Sequence, residues 1–208
     1  MPNDLSTHLD IALAEYTSGP HLETLLEAKK EYFAVTGTVS EDDLEFESRM
    51  SCFNNWYVFN YHSNRGRNTV IQDYLEKKHI DDEISNAFLE VNYSLFEFKK
   101  LNFRKQLVIE DYLHKTKIQL AKDHDQIGII PQDIFIGRVI TFKDQNYLLK
   151  GICMLPREIR SILKKESKKI NKFKDSSKEI EFLLKLENLK IKWTRYGHIQ
   201  TEHIFRFN

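Results

Sequence analysis

The spacing of apolar residues changes once along the chain, near residue 93, and this change constrains the fold more than any other feature. Before it, apolar side chains recur at helical spacing, as Leu9, Leu13 and Tyr16 do. After it, short runs alternate between polar and apolar residues, as Lys115 to Leu120 do, which is typical of half-buried strands. The sequence therefore predicts an α+β protein with helices first and a small sheet behind them.

The first 92 residues predict five helices. A Ser-Gly-Pro break separates the first two. Ser40 and Asp43 have the spacing of a capping box, so we expect the third helix to begin there. Asn68 is predicted to cap the fourth helix, and the acidic run 81–83 is predicted to open the fifth.

The third helix is predicted to lie at the centre of the helical segment. Phe46, Met50, Phe53 and Tyr57 form one apolar stripe, and further aromatic residues widen it almost all round. A helix that is apolar on most sides is usually buried. The alternative interpretation is a hydrophobic ligand pocket lined by the same aromatic residues.

Five short strand-like runs lie in the next segment, at residues 94–101, 106–111, 115–120, 134–142 and 145–154. Residues 143–146 are expected to form a hairpin turn between the last two, and residues 131–133 an entry turn before the fourth. Closing the sheet would remove its exposed edges. We therefore expect a small five-stranded SH3-like or OB-like β-barrel.

The chain returns to helical patterning after Pro156, with a lysine-rich stretch between two apolar segments. The predicted organisation has three domains: an acidic helical domain at 1–92, a small β-barrel at 93–155, and a basic helical hairpin with a tail packed on the barrel at 156–208.

The net charge of zero hides a division of charge. Residues 1–92, the acidic half, carry 7 Lys and Arg against 17 Asp and Glu. Residues 93–208, the basic half, carry 24 Lys and Arg against 14 Asp and Glu. This asymmetry indicates either an external partner for the basic half or two halves that dock on one another.

A family resemblance rests on the segment from Ala28 to Leu75 and on two later motifs. The residues that carry it are Glu31-Tyr32-Phe33, Thr36-Gly37, Glu41-Asp42-Asp43, Phe46-Glu47, Arg49-Met50, Phe53, Trp56-Tyr57, Phe59, Gly66-Arg67, Thr69, Pro131, Asp133-Ile134-Phe135, Arg138-Val139 and Pro156-Arg157-Glu158. The chain thereby resembles uncharacterised proteins of gliding and predatory proteobacteria. The resemblance implies an acidic helical segment before a small β-domain, and it implies no activity.

Motifs of catalysis are absent from the sequence. No phosphate-binding glycine loop and no G-x-S-x-G nucleophile elbow occurs. Cys52 falls within the apolar stripe, where a thiol is inert. His198 and His203 lack the helical spacing of zinc ligands. We expect a protein that is not an enzyme and that holds neither a cofactor nor a metal.

Two polar segments are candidate binding sites. The loop that contains Arg65, Arg67 and Asn68 leads into a helix and could hold an anion or a signalling nucleotide. Its alternative role is structural, with Arg67 paired to Asp42 and Asp43. The second segment is a basic strip that could bind nucleic acid or a protein partner; its residues are Arg157, Arg160, Lys164, Lys165, Lys168, Lys169 and Lys172.

The functional prediction is reached by elimination. Two unlike halves without a catalytic constellation favour a non-enzymatic interaction or regulatory adaptor whose partner is another protein. The alternatives are a DNA- or RNA-binding protein and an anion or nucleotide sensor. Neither an export signal nor a membrane-spanning apolar run is visible, which predicts a cytoplasmic protein without membrane insertion. The sequence leaves the oligomeric state open.

Overall fold

The computed structural model describes residues 1–62, 67–122 and 128–207. Helices come first, a sheet follows, and helices close the chain, which confirms the predicted α+β class. The α-helices of the described residues are α1 (Asn3–Tyr16), α2 (Leu22–Thr36), α3 (Phe46–Phe59), α4 (Val70–Lys78), α5 (Asp82–Leu89), α6 (Arg160–Asn171), α7 (Ser176–Arg195) and α8 (Thr201–Ile204). The strands are β1 (Asn92–Leu101), β2 (Leu107–Asp111), β3 (Lys117–Gln119), β4 (Ile134–Phe142), β5 (Gln145–Leu148) and β6 (Cys153–Leu155).

The predicted start of the third helix is wrong, because α3 begins at Phe46 rather than at Ser40. The expected contact between Ser40 and Asp43 does exist, since the Ser40 amide donates to Asp43 Oδ2 at 2.7 Å. This contact closes a local turn instead of a helical one, as short acidic side chains often do. Turns then occupy residues 41–45.

The predicted cap of the fourth helix is displaced by one residue. Thr69 is the N-cap of α4 and forms a capping box with Gln72. The Asn68 side chain instead donates to Glu76 Oε1 at 3.1 Å. The fifth helix begins as predicted, with the Asp81 carboxylate accepting from the Glu83 amide.

The strands form one antiparallel sheet in the order β3-β2-β1-β4-β5, with β6 also paired to β4. The two-residue turn between β4 and β5 has positive φ at Lys143 (49°) and Asp144 (57°), as a type I′ hairpin requires. This confirms the predicted hairpin. The expected entry turn before β4 is also present, and there the Asp133 carboxylate accepts from the Ile130 amide at 2.7 Å.

The sheet is curled, and hydrogen bonds connect the residues at the end of β3 with β5. The Ala121 amide donates to Asn146 O at 2.8 Å, and Asn146 Nδ2 donates to Gln119 O at 3.0 Å. These bonds join the end of β3 to β5 and give the sheet the shape of a half-barrel. A small core fills the inner face of the curl; its members are Phe96, Phe98, Ile109, Leu120, Phe135, Val139 and Leu148.

The predicted fifth strand is two strands, because the run 145–154 is broken at Gly151. Gly151 has a φ of +80°, and a Cβ there would lie 2.7 Å from the carbonyl atoms of Ser51 on α3. The close approach of backbone to backbone interrupts the strand and fixes the loop on α3, where Asn55 Nδ2 donates to Lys150 O at 2.5 Å. Beyond the loop, β6 returns to the same edge of β4.

The outer face of the sheet and the helices share one large core. The predicted central helix contributes Cys52, Phe53, Trp56, Tyr57 and Val58 to it, which confirms its buried position. Residues from α1 to α7, from the sheet and from the C-terminal tail join the same cluster. The division into three domains therefore stays a prediction.

No helix within the described ranges combines the length and the hydropathy that crossing a bilayer demands.

Candidate functional site

An ion pair joins the two halves of the chain in the centre of the large core. Arg49 on α3 donates from Nη1 to Glu187 Oε2 on α7 at 2.9 Å, and both residues are nearly inaccessible, at 3% and 2% exposure. The other Arg49 nitrogen, Nη2, donates to Thr36 Oγ1 at 2.8 Å and to Gly37 O at 3.0 Å. The arginine thus ties the C-terminal end of α2 to α3 and α7.

Two tyrosines complete the hydrogen bonds of Glu187. The Tyr32 hydroxyl donates to Oε2, and the Tyr93 hydroxyl donates to Oε1 at 3.0 Å. Burial, reinforced by the nearby Glu187 charge, raises the pKa of both hydroxyls well above the usual value. Burial opposes the charge on Arg49, but Tyr32 and Glu187 keep its pKa above the ordinary value. A buried pair of this kind is costly to break, so the contact fixes the packing.

A second buried carboxylate, Glu97 on β1, lies between the sheet and α6. It accepts from Tyr112 Oη at 2.6 Å and from Lys99 Nζ at 2.8 Å. Arg160 and Lys164 of α6 lie at 3.2 and 3.4 Å from its oxygens. Burial opposes ionisation of Glu97, yet the bonds from Lys99 and Tyr112 hold its pKa below the usual value.

Several basic side chains of the predicted strip pair with carboxylates of the sheet and of the turn before β4. Arg160 and Lys164 pair with Glu97, and Arg157 pairs with Asp133 at 2.5 Å. Lys169 pairs with Glu166 within its own helix. Lys165, Lys168 and Lys172 are exposed. The strip is therefore not one surface: part of it clamps α6 to the sheet, and part of it faces solvent.

Direct ion pairs between the two halves are few in the parts of the chain that the structure describes. Besides Arg49 and Glu187, Lys190 pairs with Glu45, and Lys143 lies 3.9 Å from Glu83. The lysine-rich helix instead pairs with carboxylates of its own half. The division of net charge between the acidic and basic halves thus does not predict which residues join them.

Another buried charge, Arg138 on β4, lines a cavity of about 250 Å³. Its guanidinium carbon lies 3.7 Å from the centre of the Tyr93 ring, and Nη2 donates to Asn60 Oδ1. Its Nε is buried and has no hydrogen-bond partner within residues 1–62, 67–122 and 128–207. His62, Thr69 and residues of α3, α4, α5 and β1 complete the lining.

The described residues include only part of the predicted anion loop. Arg65 lies outside the described residues. Arg67 is exposed, and its carbonyl contacts His62 Nδ1 at 3.0 Å. The predicted pairing of Arg67 with Asp42 and Asp43 is wrong, because no ion pair joins these described residues and the Asp43 carboxylate accepts from the Ser40 amide instead.

The tip of the β1–β2 hairpin, residues 101–106, places apolar side chains in solvent. Leu101 and Phe103 are exposed, the latter fully, and Lys100, Arg104 and Lys105 beside them are exposed as well. The tip is well ordered by hydrogen bonds. Asn102 Oδ1 accepts from the Arg104 and Gln106 amides, each at 2.9 Å.

Sequence reasoning missed the buried charges. Arg138 stands inside the largely apolar run 134–142, and this was the available signal for it. Arg49 and Glu187 have several polar neighbours along the chain, so no such signal marked them. The sequence could not pair these two residues either, because they lie 138 positions apart.

Taken together, fold and site define an α+β protein in which helices cover a curled antiparallel sheet and charged side chains join the layers. The chain belongs to a family of unknown function, DUF7986, whose model matches residues 8–187. Comparison with curated proteins and with solved structures finds no significant match. Membership agrees with the predicted relationship to an uncharacterised family, while the origin in gliding and predatory proteobacteria stays a prediction.

Proposed function

We propose that this protein is a non-enzymatic interaction module and that the tip of the β1–β2 hairpin docks into a partner protein. The observation that carries the proposal is Phe103, an aromatic side chain held fully outside the body of the protein on an ordered loop. Large aromatic side chains dominate the binding energy of many interfaces. The bacterial cytoplasm as the setting, and an SH3-like or OB-like assignment for the curled sheet, belong to the same proposal.

The order of the tip supports a binding role. Beside the two bonds to Asn102 Oδ1, the Asn102 amide donates to Gln106 O and the Lys105 amide donates to Asn102 O, both at 2.9 Å. Gln119 of β3 donates to the Gln106 side chain at 2.7 Å. A loop that is already held in one conformation loses little entropy when it binds.

The positive charges around the tip indicate the kind of surface that a partner should offer. Lys100, Arg104 and Lys105 are exposed beside Phe103. We expect the partner to offer an apolar pocket for the ring and acidic residues at its rim, since complementary charges speed association and select the partner.

The test uses tagged full-length protein to capture partners from a lysate of the native organism. Wild type is compared with Phe103→Asp and with Leu44→Asp. Leu44 is as exposed as Phe103 but lies in the turn before α3, so it controls for the loss of an exposed apolar side chain. We expect one stoichiometric partner that is lost with Phe103→Asp and kept with Leu44→Asp. Equal recovery with both variants would refute the role of the tip.

Nucleic-acid binding is the second candidate, and the exposed Lys165, Lys168 and Lys172 are the observation in its favour. Phosphate contacts weaken steeply as salt rises. Titration with mixed-sequence DNA and RNA at two salt concentrations tests this candidate, and neutralising the three lysines should weaken binding to every sequence. Absence of binding at low salt would exclude it.

A further inference from the structure

Arg138 is a charged side chain buried in a place that gives it only neutral partners among the described residues. It is 2% exposed, and its contacts are the Asn60 amide oxygen and the faces of Tyr93 and Phe59. Its Nε has no hydrogen-bond partner in the part of the chain that the structure describes. Burying a cation is costly unless an anion compensates it, and Arg49 in the same core has such an anion.

The cavity beside Arg138 favours an anion. Its described lining contains no Asp or Glu. His62 lies on its wall, and Thr69, Ile71 and Gln72 bring the first turn of the nine-residue helix α4 to it. The N-terminal end of a helix carries a partial positive charge, so it adds to the field of the guanidinium.

Tyr93 separates this cavity from the buried carboxylate of the core. Its ring stacks on Arg138, while its hydroxyl donates to Glu187. Glu187 therefore accepts the hydrogen bond of the Tyr93 hydroxyl, whereas Arg138 contacts the Tyr93 ring. Arg138 lines the cavity, and the described lining offers it no carboxylate. The arrangement thus places a positive charge at the wall of the cavity.

We propose that this cavity binds a phosphate group, either as inorganic phosphate or as the end of a small phosphorylated metabolite. Arginine offers several N–H donors in a fixed plane, which matches the oxygens of a phosphate. The volume of about 250 Å³ suits one such group. A second cavity of about 410 Å³ shares Asn60, Val91 and Tyr93 with the first and offers space for an organic portion.

Calorimetric titration of the full-length protein with inorganic phosphate and with phenyl phosphate, at constant ionic strength, tests the proposal. Binding of either ligand is expected. Tighter binding of phenyl phosphate would identify a phosphorylated metabolite as the ligand, and equal binding would identify the free ion. If neither ligand binds, the proposal is wrong.

A matched pair of variants locates the binding. Gln72→Glu keeps the capping box, because a glutamate accepts the Thr69 amide as the glutamine does, but it adds a negative charge to the cavity wall. Gln200→Glu makes the same change at an exposed site before α8. We expect Gln72→Glu to weaken phosphate binding about tenfold or more through charge repulsion, and Gln200→Glu to leave it unchanged.

Removal of the cation completes the test. Arg138→Gln should abolish phosphate binding in a protein whose circular dichroism and unfolding transition show that it is folded. Retained binding in the folded variant, or equal effects of Gln72→Glu and Gln200→Glu, would overturn the proposal. Because Gln72→Glu keeps every hydrogen bond of the α4 cap, the test does not depend on Arg138→Gln folding.

Discussion

Arg49 and Glu187 form a buried ion pair at 2.9 Å although they lie 138 positions apart in the chain. The cation of this pair comes from the acidic half and the anion from the basic half. Each residue therefore carries the charge opposite to the net charge of its own half. Thr36, Tyr32 and Tyr93 satisfy its remaining hydrogen-bonding atoms almost completely. The assembly of helices α2, α3 and α7 around β1 therefore depends on a specific contact rather than on overall charge.

The first prediction concerns the energy of this pair. Arg49→Met leaves Glu187 buried without its cation, so we expect the free energy of unfolding to fall by about 3–5 kcal/mol. Urea unfolding measures it. Arg49→Met combined with Glu187→Met should cost less than the sum of the single changes. The control is Lys78→Met, which breaks the exposed pair with Glu15 and should leave the free energy of unfolding nearly unchanged, because solvent screens an exposed pair. Additive effects at Arg49 and Glu187 would contradict the proposed coupling.

The second prediction concerns Gly151, where the β5–β6 loop meets α3. Alanine there would need a φ of +80° and would place its Cβ 2.7 Å from the backbone of Ser51. We expect Gly151→Ala to lower the free energy of unfolding by about 1–3 kcal/mol. Gly197→Ala is the control, because its added Cβ meets no described residue within 4 Å other than its chain neighbours. Thermal unfolding of both variants measures the difference, and similar transitions would show that the close approach is not important.

A third prediction tests the order of the hairpin tip without a partner. Asn102→Ala removes the acceptor of the Arg104 and Gln106 amides, whose loss should cost about 1 kcal/mol locally. Hydrogen exchange at these two amides should become faster. The amide of Ile109, within β2, should exchange as in the wild type. Unchanged exchange at Arg104 and Gln106 would mean that the tip is ordered by other contacts.

The fourth prediction concerns pH. His114 Nδ1 lies 2.8 Å from Asp111 and Nε2 lies 3.4 Å from Glu179. The hydrogen bond to Asp111, aided by the charge of Glu179, raises the pKa of His114 above the usual value. A group with a raised pKa in the folded state stabilises the protein fully below its unfolded pKa, about 6.5, and this contribution is lost as pH rises through the folded value.

The measurement is the free energy of unfolding of the wild type and of His114→Asn between about pH 5 and pH 9. The wild type should lose stability relative to the variant as pH rises above about 6.5. A constant difference between the two proteins over this range would show that protonated His114 does not contribute.

The sequence by itself determined the α+β class, the central helix and the hairpin at Lys143-Asp144. Each follows from local information: the period of apolar residues in α3, or the positive φ that the turn demands. One failed prediction was decided by a contact distant in sequence. The fifth strand breaks because Gly151 meets the backbone of Ser51, one hundred positions earlier in the chain.

Only the tertiary structure decided which charges are buried and what they face. Arg49 pairs with a carboxylate of α7, whereas Arg138 lines a cavity. The same holds for the basic strip. Arg160 and Lys164 pair with Glu97 of the sheet, whereas Lys165 and Lys168 are exposed to solvent. Local patterning fixes the elements because it acts along the chain. The electrostatic energy of a charged side chain depends on its neighbours in space, and these cannot be read from the sequence.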